Sequence, residues 1–373
     1  MGANISKDLH YMMSALRLAA RGRGTASPNP MVGAVVVNRG RVVGQGYHLR
    51  AGLPHAEVLA LRRAGALARG ATLYVTLEPC CHVKKRTAPC VPAIVESGVK
   101  RVVIAQFDPN PSVDGRGVAA LRRAGMSVAL GVARREAEAL NEAYRHWMRT
   151  KRPFVILKAG MTLDGQIATS TGEAKWITSV SSRRDAHRLR AEVDAVLVGV
   201  GTVCSDNPSL TARVGARLLR RAKKQPLRVV VDSHLRIPLN ANVLRRVQGT
   251  HTMVATTSAV PPARRRALAR RNVEVLSLPA VAGRVSLSRL LDELGSRGIT
   301  SLLVEGGAEI NAAMLRGRLV QQVRLYIAPS LLGGNDAKGM IGGNSPRRLT
   351  AALKLRNVRT RSVGRDIVVE GDL

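Results

Sequence analysis

Three of the four cysteines of this 373-residue chain fall between positions 80 and 90, in the run Pro-Cys-Cys-His-Val-Lys-Lys-Arg-Thr-Ala-Pro-Cys, and a His-Ala-Glu triplet at 55–57 begins 25 residues before the first of them. Pro54 suits the first turn of a helix, which puts His55 at a helix N-terminus with Glu57 two residues on. Cys80 follows the strand-like run Ala-Thr-Leu-Tyr-Val-Thr-Leu (71–77), and Cys90 opens the next helical stretch. A chain that uses these residues together has to bring a strand end and two helix starts to one point, where the helix dipoles favour thiolate, the form that binds metal. One His nitrogen and two Cys sulfurs supply three ligands of a tetrahedral zinc and leave the fourth position to water, the pattern of a catalytic site. Glu57 is then the carboxylate that is not a ligand and carries protons.

Competing arrangements fit less well. A closed four-ligand knot that adds His82 leaves Glu57 without a role. Disulfide staples are not required, because the chain is long enough for two domains with a core each. No apolar run reaches the length of a membrane span, and the N-terminus lacks the charged-then-apolar pattern of a signal peptide. A cytoplasmic location with reduced thiols is therefore expected, and no membrane partner. Cys81 reads as a small filler beside Cys80, and Cys204 as a buried thiol of the second half.

The charge balance raises a different possibility. Lys and Arg number 59 against 25 Asp and Glu, a net charge of +34, and neutralised phosphates supply most non-specific nucleic-acid affinity. The excess is spread out, however: residues 1–150 carry 22 basic and 9 acidic side chains, and residues 151–373 carry 37 and 16. Aromatic residues make up 2% of the chain, so platforms for stacking single-stranded bases are nearly absent. A specific nucleic-acid partner is not expected; a deaminase acting on tRNA or single-stranded nucleic acid is the alternative the charge keeps in view.

Short β-rich runs alternate with helical stretches along the whole chain, which points to α/β domains. In the first half, residues 31–37 and 41–47 read as a hairpin around Asn38-Arg39-Gly40, followed by a helix over 55–70, the strand at 71–77, the cysteine loop, a helix from Cys90 and a strand at 101–107. A second series of strands begins at Pro153 and recurs at 194–202, 227–233, 251–257, 273–278, 301–307 and 323–329. Between them, residues 141–153 form a polar helical end running into a basic pair and Pro153, and the domain boundary is placed there, giving domains 1–150 and 151–373.

A His-x-Glu followed by Pro-Cys and a second Cys is the signature of zinc nucleobase deaminases, although here the two cysteines lie ten positions apart. The runs PNPMVGAVVV, GYHLRAGLPHAE, TLEPCCH, RTAPC, FDPNP, RPFVILKAGMTLDG, GEAKWITS, SDNPSLTAR, VEGG and YIAPSLLGG occur in the order found in the bifunctional riboflavin-biosynthesis deaminase/reductase family, which the chain resembles from about residue 8 to its end. The resemblance implies a cytidine-deaminase-like α/β/α domain followed by a dihydrofolate-reductase-like α/β domain, with zinc in the first, NADPH in the second and a homo-oligomeric assembly. It implies His55, Cys80 and Cys90 as zinc ligands, Glu57 as proton carrier and Asn29 against the pyrimidine edge. The implied substrate is 2,5-diamino-6-ribosylamino-4(3H)-pyrimidinone 5′-phosphate, whose ring amine is replaced by oxygen before the ribosyl group is reduced to ribityl.

In the second domain the resemblance carries Lys158, Ala174, Arg190, Asp206, Leu210, Arg213 and Glu305 over as substrate contacts. It carries Gly160, Trp176, Thr202, Asp206, Ser233, Gly306 and Gly307 over as dinucleotide contacts. Arginine suits a 5′-phosphate because its fork donates bidentately, and a Gly pair after a strand lets backbone amides approach a phosphate. The chain departs from the family pattern in places: its cysteine loop is one residue longer and has Ala88 for a Pro, Ala174 stands where Ser is frequent, and Ala34 where Cys is. None of these removes a ligand or the proton carrier.

Overall fold

The computed structural model describes residues 2–82, 87–215, 225–247 and 249–373; the middle of the lengthened cysteine loop, 83–86, lies outside the described residues. The chain divides into two compact units, Met1–Lys151 and Arg152–Leu373.

The first unit is a five-stranded sheet between two helical layers. After α1 (Gly2–Ala19), strands β1 (Gly33–Asn38) and β2 (Arg41–Tyr47) form the expected hairpin. Arg39 and Gly40 both take positive φ, 49° and 78°, which matches the twist of the two strands in a two-residue turn. Then come α2 (Ala56–Ala64), β3 (Thr72–Val75), α3 (Cys90–Glu96), β4 (Arg101–Ile104), α4 (Arg116–Arg123), β5 (Ser127–Leu130), α5 (Arg134–Leu140) and α6 (Glu142–Thr150). The strand order is β2-β1-β3-β4-β5, with β3, β4 and β5 parallel and the hairpin antiparallel to them. Alternation along each strand separates two cores. Ala34, Val36, Leu73, Val75, Val102 and Ile104 face α2, α3 and α4, while Val35, Val37, Tyr74 and Val103 face α1 and α5. Helix α1, which the sequence reading passed over, is pinned by Asp8: its carboxylate accepts from Arg101 at 2.8 and 2.7 Å and from the Tyr74 hydroxyl at 2.8 Å.

The second unit is built on a nine-stranded sheet. Its elements in order are β6 (Phe154–Thr162), β7 (Gln166–Ala168), α7 (Val180–Glu192), β8 (Ala195–Gly199), α8 (Val200–Asp206), β9 (Leu227–Val231), β10 (Thr252–Thr257), α9 (Pro262–Ala269) and β11 (Glu274–Leu278). They continue with β12 (Ala280–Val281), β13 (Arg284–Val285), α10 (Leu287–Ser296), β14 (Ser301–Val304), α11 (Ala308–Arg316), β15 (Gln322–Ala328), β16 (Lys338–Gly339), β17 (Arg356–Val363) and β18 (Asp366–Asp372). The sheet runs β11-β10-β9-β8-β14-β6-β15-β18-β17, parallel from β11 to β15 and antiparallel at the β18 and β17 edge. Because β14 lies between β6 and β8, the carboxyl ends of these strands bring residues far apart in sequence to one rim, where α/β sheets bind ligands.

Both α/β folds were expected, and the structure adds corrections of detail. His55 is the N-cap of α2 and Pro54 lies outside the helix. The strand at 194–202 stops at Gly199, and Val200–Thr202 are already helical. Cys204 is exposed, not buried: Val200 and Val203 are the buried residues of α8 and the thiol falls on its outer side.

The position of α2 is set by two glycines of β2. A Cβ on Gly44 would lie 2.1 Å from the Ala60 carbonyl oxygen, and one on Gly46 would lie 2.5 Å from that of Ala56. Any side chain there pushes the helix, and His55 and Glu57 with it, away from the sheet. Gly44→Val is expected to destabilise the protein by about 1–3 kcal/mol through overpacking and to lower the zinc content of the purified protein. Urea unfolding and metal analysis check this, and an unchanged zinc content would show that α2 is positioned by other contacts.

Candidate active sites

In the first unit, His55 is carried by the N-cap of α2, Cys80 by the loop after β3 and Cys90 by the first residue of α3. His55 Nδ1 lies 3.5 Å from Cys80 Sγ and 3.2 Å from Cys90 Sγ, and the three ligand atoms are within 4.8 Å of one another. Zinc bonds of about 2.0–2.1 Å to nitrogen and 2.3 Å to sulfur, at tetrahedral angles, place such atoms about 3.5 Å apart. The backbone fixes the thiols as well, since the amides of Cys90 and Val91 both donate to the Cys80 carbonyl, at 3.0 and 3.3 Å. The opposite ring nitrogen, His55 Nε2, is 3.1 Å from Thr87 Oγ1, a partner that leaves Nδ1 as the metal-facing atom. His82 lines the cleft but is not in this cluster, so among the described residues the group is His55, Cys80 and Cys90.

Glu57 is the second residue of α2, in its first turn, 3% exposed, with Oε2 buried and without a hydrogen-bond partner. Burial, and after it the Cys80 thiol, raises its pKa. A carboxylate with an unsatisfied buried oxygen costs free energy unless something occupies the space in front of it, and the donor set beside it fits a metal with an exchangeable ligand. The surrounding cleft has a volume of about 460 Å³, and its walls include Asn29, His48, Glu57, His82, Asp108 and Asn110.

Sequence reasoning quoted the motif around His48 without assigning that residue. Asn29 Nδ2 lies 3.0 Å from His48 Nε2. The amide donates there, so Nε2 accepts and Nδ1–H is turned to the Pro54 carbonyl at 3.4 Å. This chain of contacts fixes Asn29 at the cleft wall and links it to the residue before His55. Asp108 was also missed. Burial pushes its carboxyl up to about 6, although it accepts from the Asn110 amide at 2.9 Å and the Tyr144 hydroxyl at 3.0 Å. Its only sequence signal was the FDPNP run.

In the second unit three of the expected residues meet. The Arg190 fork donates Nε and Nη2 to the two oxygens of Glu305, both at 2.7 Å, and Lys158 Nζ approaches the same carboxylate at 3.9 Å. Burial alone would raise Glu305, but Arg190 and Lys158 beside it bring it down to about 2. Burial lowers the Lys158 pKa against the pull of Glu305. His187, which the sequence reading did not single out, accepts the Arg213 amide on Nδ1 at 3.3 Å. Burial and the neighbouring Arg190 and Arg213 bring it down to about 4, so it is neutral near pH 7.

The other expected residues line up along the same strands and helices. Gly160 lies in β6, where a Cβ would meet the Thr178 methyl at 3.2 Å, and Thr202 lies in α8. Gly306 and Gly307 lead into α11, whose first turn has no side-chain cap and so can hold an anion on its amides. A Cβ on Gly306 would lie 2.7 Å from Ile310, which requires glycine for the close turn. Asp206 ends α8 and its carbonyl accepts from Lys175 Nζ at 3.1 Å. Buried Leu210 has a positive φ of 53°, and Ala174 is half-buried in the loop before α7. Trp176 is exposed with the Arg183 guanidinium 4.4 Å from its ring centroid. Ser233 stands apart from this pattern in that its hydroxyl already accepts the Val285 amide at 3.0 Å.

Residues 5–106 match the family model for the cytidine and deoxycytidylate deaminase zinc-binding region, and residues 153–369 match that for the RibD C-terminal domain. The riboflavin biosynthesis protein RibD of Aquifex aeolicus is 44% identical over 362 residues, covering 97% of this chain and 97% of that protein. This chain belongs to the RibD family. Among solved structures, RibD of Acinetobacter baumannii in its form 1 superposes with a TM-score of 0.90 at 37% identity, with 99% of each chain covered. The diaminohydroxyphosphoribosylaminopyrimidine deaminase/5-amino-6-(5-phosphoribosylamino)uracil reductase of Thermotoga maritima superposes with a TM-score of 0.86 at 34% identity, again over 99% of each chain. As members of this family carry them, the chain has a zinc-binding deaminase domain and a reductase domain.

The Arg190–Glu305–Lys158 cluster yields a stability test. Removing the carboxylate charge leaves two cations buried without compensation, which costs about 3–5 kcal/mol. Glu305→Gln is expected to lower the unfolding free energy by that amount, read from Trp176 fluorescence in a Trp147→Phe background. A Glu whose folded pKa is depressed to about 2 stabilises above its ordinary pKa, and that stabilisation is lost as pH falls from there through 2. The difference between Glu305→Gln and the parent should therefore shrink on acidification below the usual carboxylate range, and a difference that stays constant well below that range would contradict the assignment.

Proposed function

We infer that this chain catalyses two successive steps of riboflavin biosynthesis: hydrolytic deamination of a diaminopyrimidinone ribosyl phosphate to the corresponding aminouracil, then NADPH-dependent reduction of its ribosyl group to ribityl. The observation that carries the first step is the convergence of His55 Nδ1 and the two thiols beside a buried carboxylate with an unpartnered oxygen. His55, Cys80 and Cys90 would hold zinc, which when bound supplies an acidified water at neutral pH. Glu57, with its pKa raised by burial, takes a proton from the nucleophile and gives it to the departing amine, the work of a general acid–base poised nearer neutrality than a surface glutamate. Asn29, held by His48, presents its amide to the pyrimidine edge, and the pyrimidine is enclosed by the cleft walls.

For the second step, NADPH when bound supplies the hydride. Thr202, Gly306 and Gly307 are assigned to its phosphate region, where the uncapped first turn of α11 offers amides, and Gly160, Trp176, Asp206 and Ser233 to the rest of it. Lys158 is assigned to the carbon being reduced. Burial loosens its hold on the proton and Glu305 anchors it, so it can donate to the sugar oxygen on which charge develops. Glu305 and Arg190 hold one another rigid, and Arg213, Asp206, Leu210 and Ala174 are assigned to the substrate. The name of the Thermotoga relative orders the two reactions, since the aminouracil left by deamination is the compound its reductase consumes.

Three further assignments rest on the same reading. The site needs reduced thiols, and Cys80, Cys81 and Cys90 form no disulfide, which suits the cytoplasm; among the described residues no helix is long and apolar enough to cross a membrane. A homo-oligomer is expected, because Leu349, Leu353, Val358 and Ile367 are exposed at or near the open β17 edge of the large sheet, a surface that a second copy would cover. The positive charge remains general, with no specific nucleic-acid partner.

Glu57→Gln separates this reading from a purely structural zinc site. Deamination is expected to fall by about 10²–10⁴-fold with zinc still bound, while reduction of supplied aminouracil phosphate by NADPH is retained. Product masses by chromatography and mass spectrometry decide it, and unimpaired deamination would remove Glu57 from the reaction.

A further inference from the structure

We propose that a second crevice in the first unit, at the carboxyl ends of β4 and β5, is a binding site for a nucleotide-like ligand: a planar heterocycle with adjacent N–H and C=O groups that carries a phosphate. The crevice has a volume of about 420 Å³ and lies between the loop after β4, the end of β5 and helices α5 and α6, within the range of small-molecule sites, about 300–1,000 Å³. Of its lining residues, only Asp108 also lines the deaminase cleft.

The central observation is Gln106. It lines the crevice, is 2% exposed, and both ends of its carboxamide are buried without a hydrogen-bond partner. A buried amide unpaired at both ends carries the desolvation cost of each unsatisfied group, and one neighbour with a donor beside an acceptor, such as the imide edge of a uracil, satisfies both at once. Phe107, next in the chain, is 42% exposed in the same wall. It is one of two phenylalanines in the sequence and offers a flat face for stacking. Arg134, Arg145 and Arg149 line the same crevice. Glu138 accepts from Arg134 at 2.8 Å and forms an ion pair with Arg145 at 3.2 Å, so one carboxylate serves this group of guanidinium ions. Planar, bidentate guanidinium groups suit phosphate oxygens. Asp114 is also in the wall, an acceptor suited to sugar hydroxyls. Carboxamide, aromatic face, carboxylate and arginines match the base, sugar and phosphate of a nucleoside monophosphate.

The test is calorimetric titration of zinc-loaded full-length protein with uridine 5′-monophosphate, uridine and inorganic phosphate at constant ionic strength. Uridine monophosphate is expected to bind at least about tenfold more tightly than phosphate or uridine alone. Its affinity should fall by about tenfold or more in Gln106→Leu and in Arg145→Met/Arg149→Met, and be unchanged in Asn29→Ala, which alters the deaminase cleft alone. Arg149 is exposed, so Arg149→Met alone serves if the double variant does not fold. Three results would overturn the proposal: no binding at millimolar concentration, phosphate binding as tightly as the nucleotide, or an affinity that responds to Asn29→Ala and not to the arginine variants. Because the crevice variants are read by binding, the outcome stands whether or not the deamination assigned to Glu57 is borne out.

Discussion

The packing of α2 on the hairpin is the contact on which the deaminase chemistry depends. Ala56, Ala60 and Ala64 present small side chains along one face of the helix, and Gly44 and Gly46 present none along β2, so backbone meets backbone. That closeness delivers the helix N-terminus to the cleft with two different side chains on it. His55, at the N-cap, points a nitrogen to the thiols, and Glu57, two residues on in the first turn, is buried beside them. A looser helix would move His55 and Glu57, the proposed ligand and proton carrier, away from the thiols, and 1 Å of misplacement is enough to cost a large part of such a rate. Cys90 uses the same device from α3, whose first amides hold the Cys80 carbonyl.

The two sites solve the same problem, burial of charge, by different means. In the first unit no Lys or Arg among the described residues is a cause of the shift in the Glu57 carboxylate, and its pKa rises, which suits the proton transfer proposed for it. In the second unit Glu305 is fully compensated by Arg190 and partly by Lys158, and its pKa falls, which suits a fixed charge that never changes protonation during turnover. The group proposed to exchange a proton there is Lys158, whose ammonium is 3.9 Å from the carboxylate while Arg190 has taken the two shorter contacts.

Much of this was legible from residue order alone. The hairpin, the strand before the cysteine loop, the helix opening at Cys90 and the second strand series all follow from short apolar runs between Gly, Asn and Pro, and the metal cluster follows from placing its residues at those element ends. The parts that escaped share a physical cause. Strand β17 reads Arg-Asn-Val-Arg-Thr-Arg-Ser-Val and is exposed at nearly every position, so no buried face imprints a period on it. Helix α1 is tied down by Asp8, whose partners Tyr74 and Arg101 are 66 and 93 residues away, a contact invisible to local pattern. His48 and Asp108 escaped for the same reason: each is tied to a side chain from another segment, Asn29 and Tyr144. Cys204 was misplaced because residue type alone was used for burial, and α8 turns its two valines inward instead.

The arginine excess takes on a different meaning once the sites are in place. A net charge of +34 spread over both units attracts any phosphate, and the ligands assigned to all the sites carry one. Long-range attraction of this kind raises encounter rates for every anion alike and is screened over about 8–10 Å at physiological salt, so it supplies no discrimination. Selection therefore has to come from uncharged groups at short range, where a mispaired donor or acceptor is penalised. Asn29 held by His48 is such a group in the deaminase cleft, and the unpartnered carboxamide of Gln106 has the same character in the neighbouring crevice. In a chain this basic, the neutral amides of Asn29 and Gln106 are the groups proposed to discriminate between anions, while the arginines of the Gln106 crevice are proposed to hold the phosphate once it has arrived.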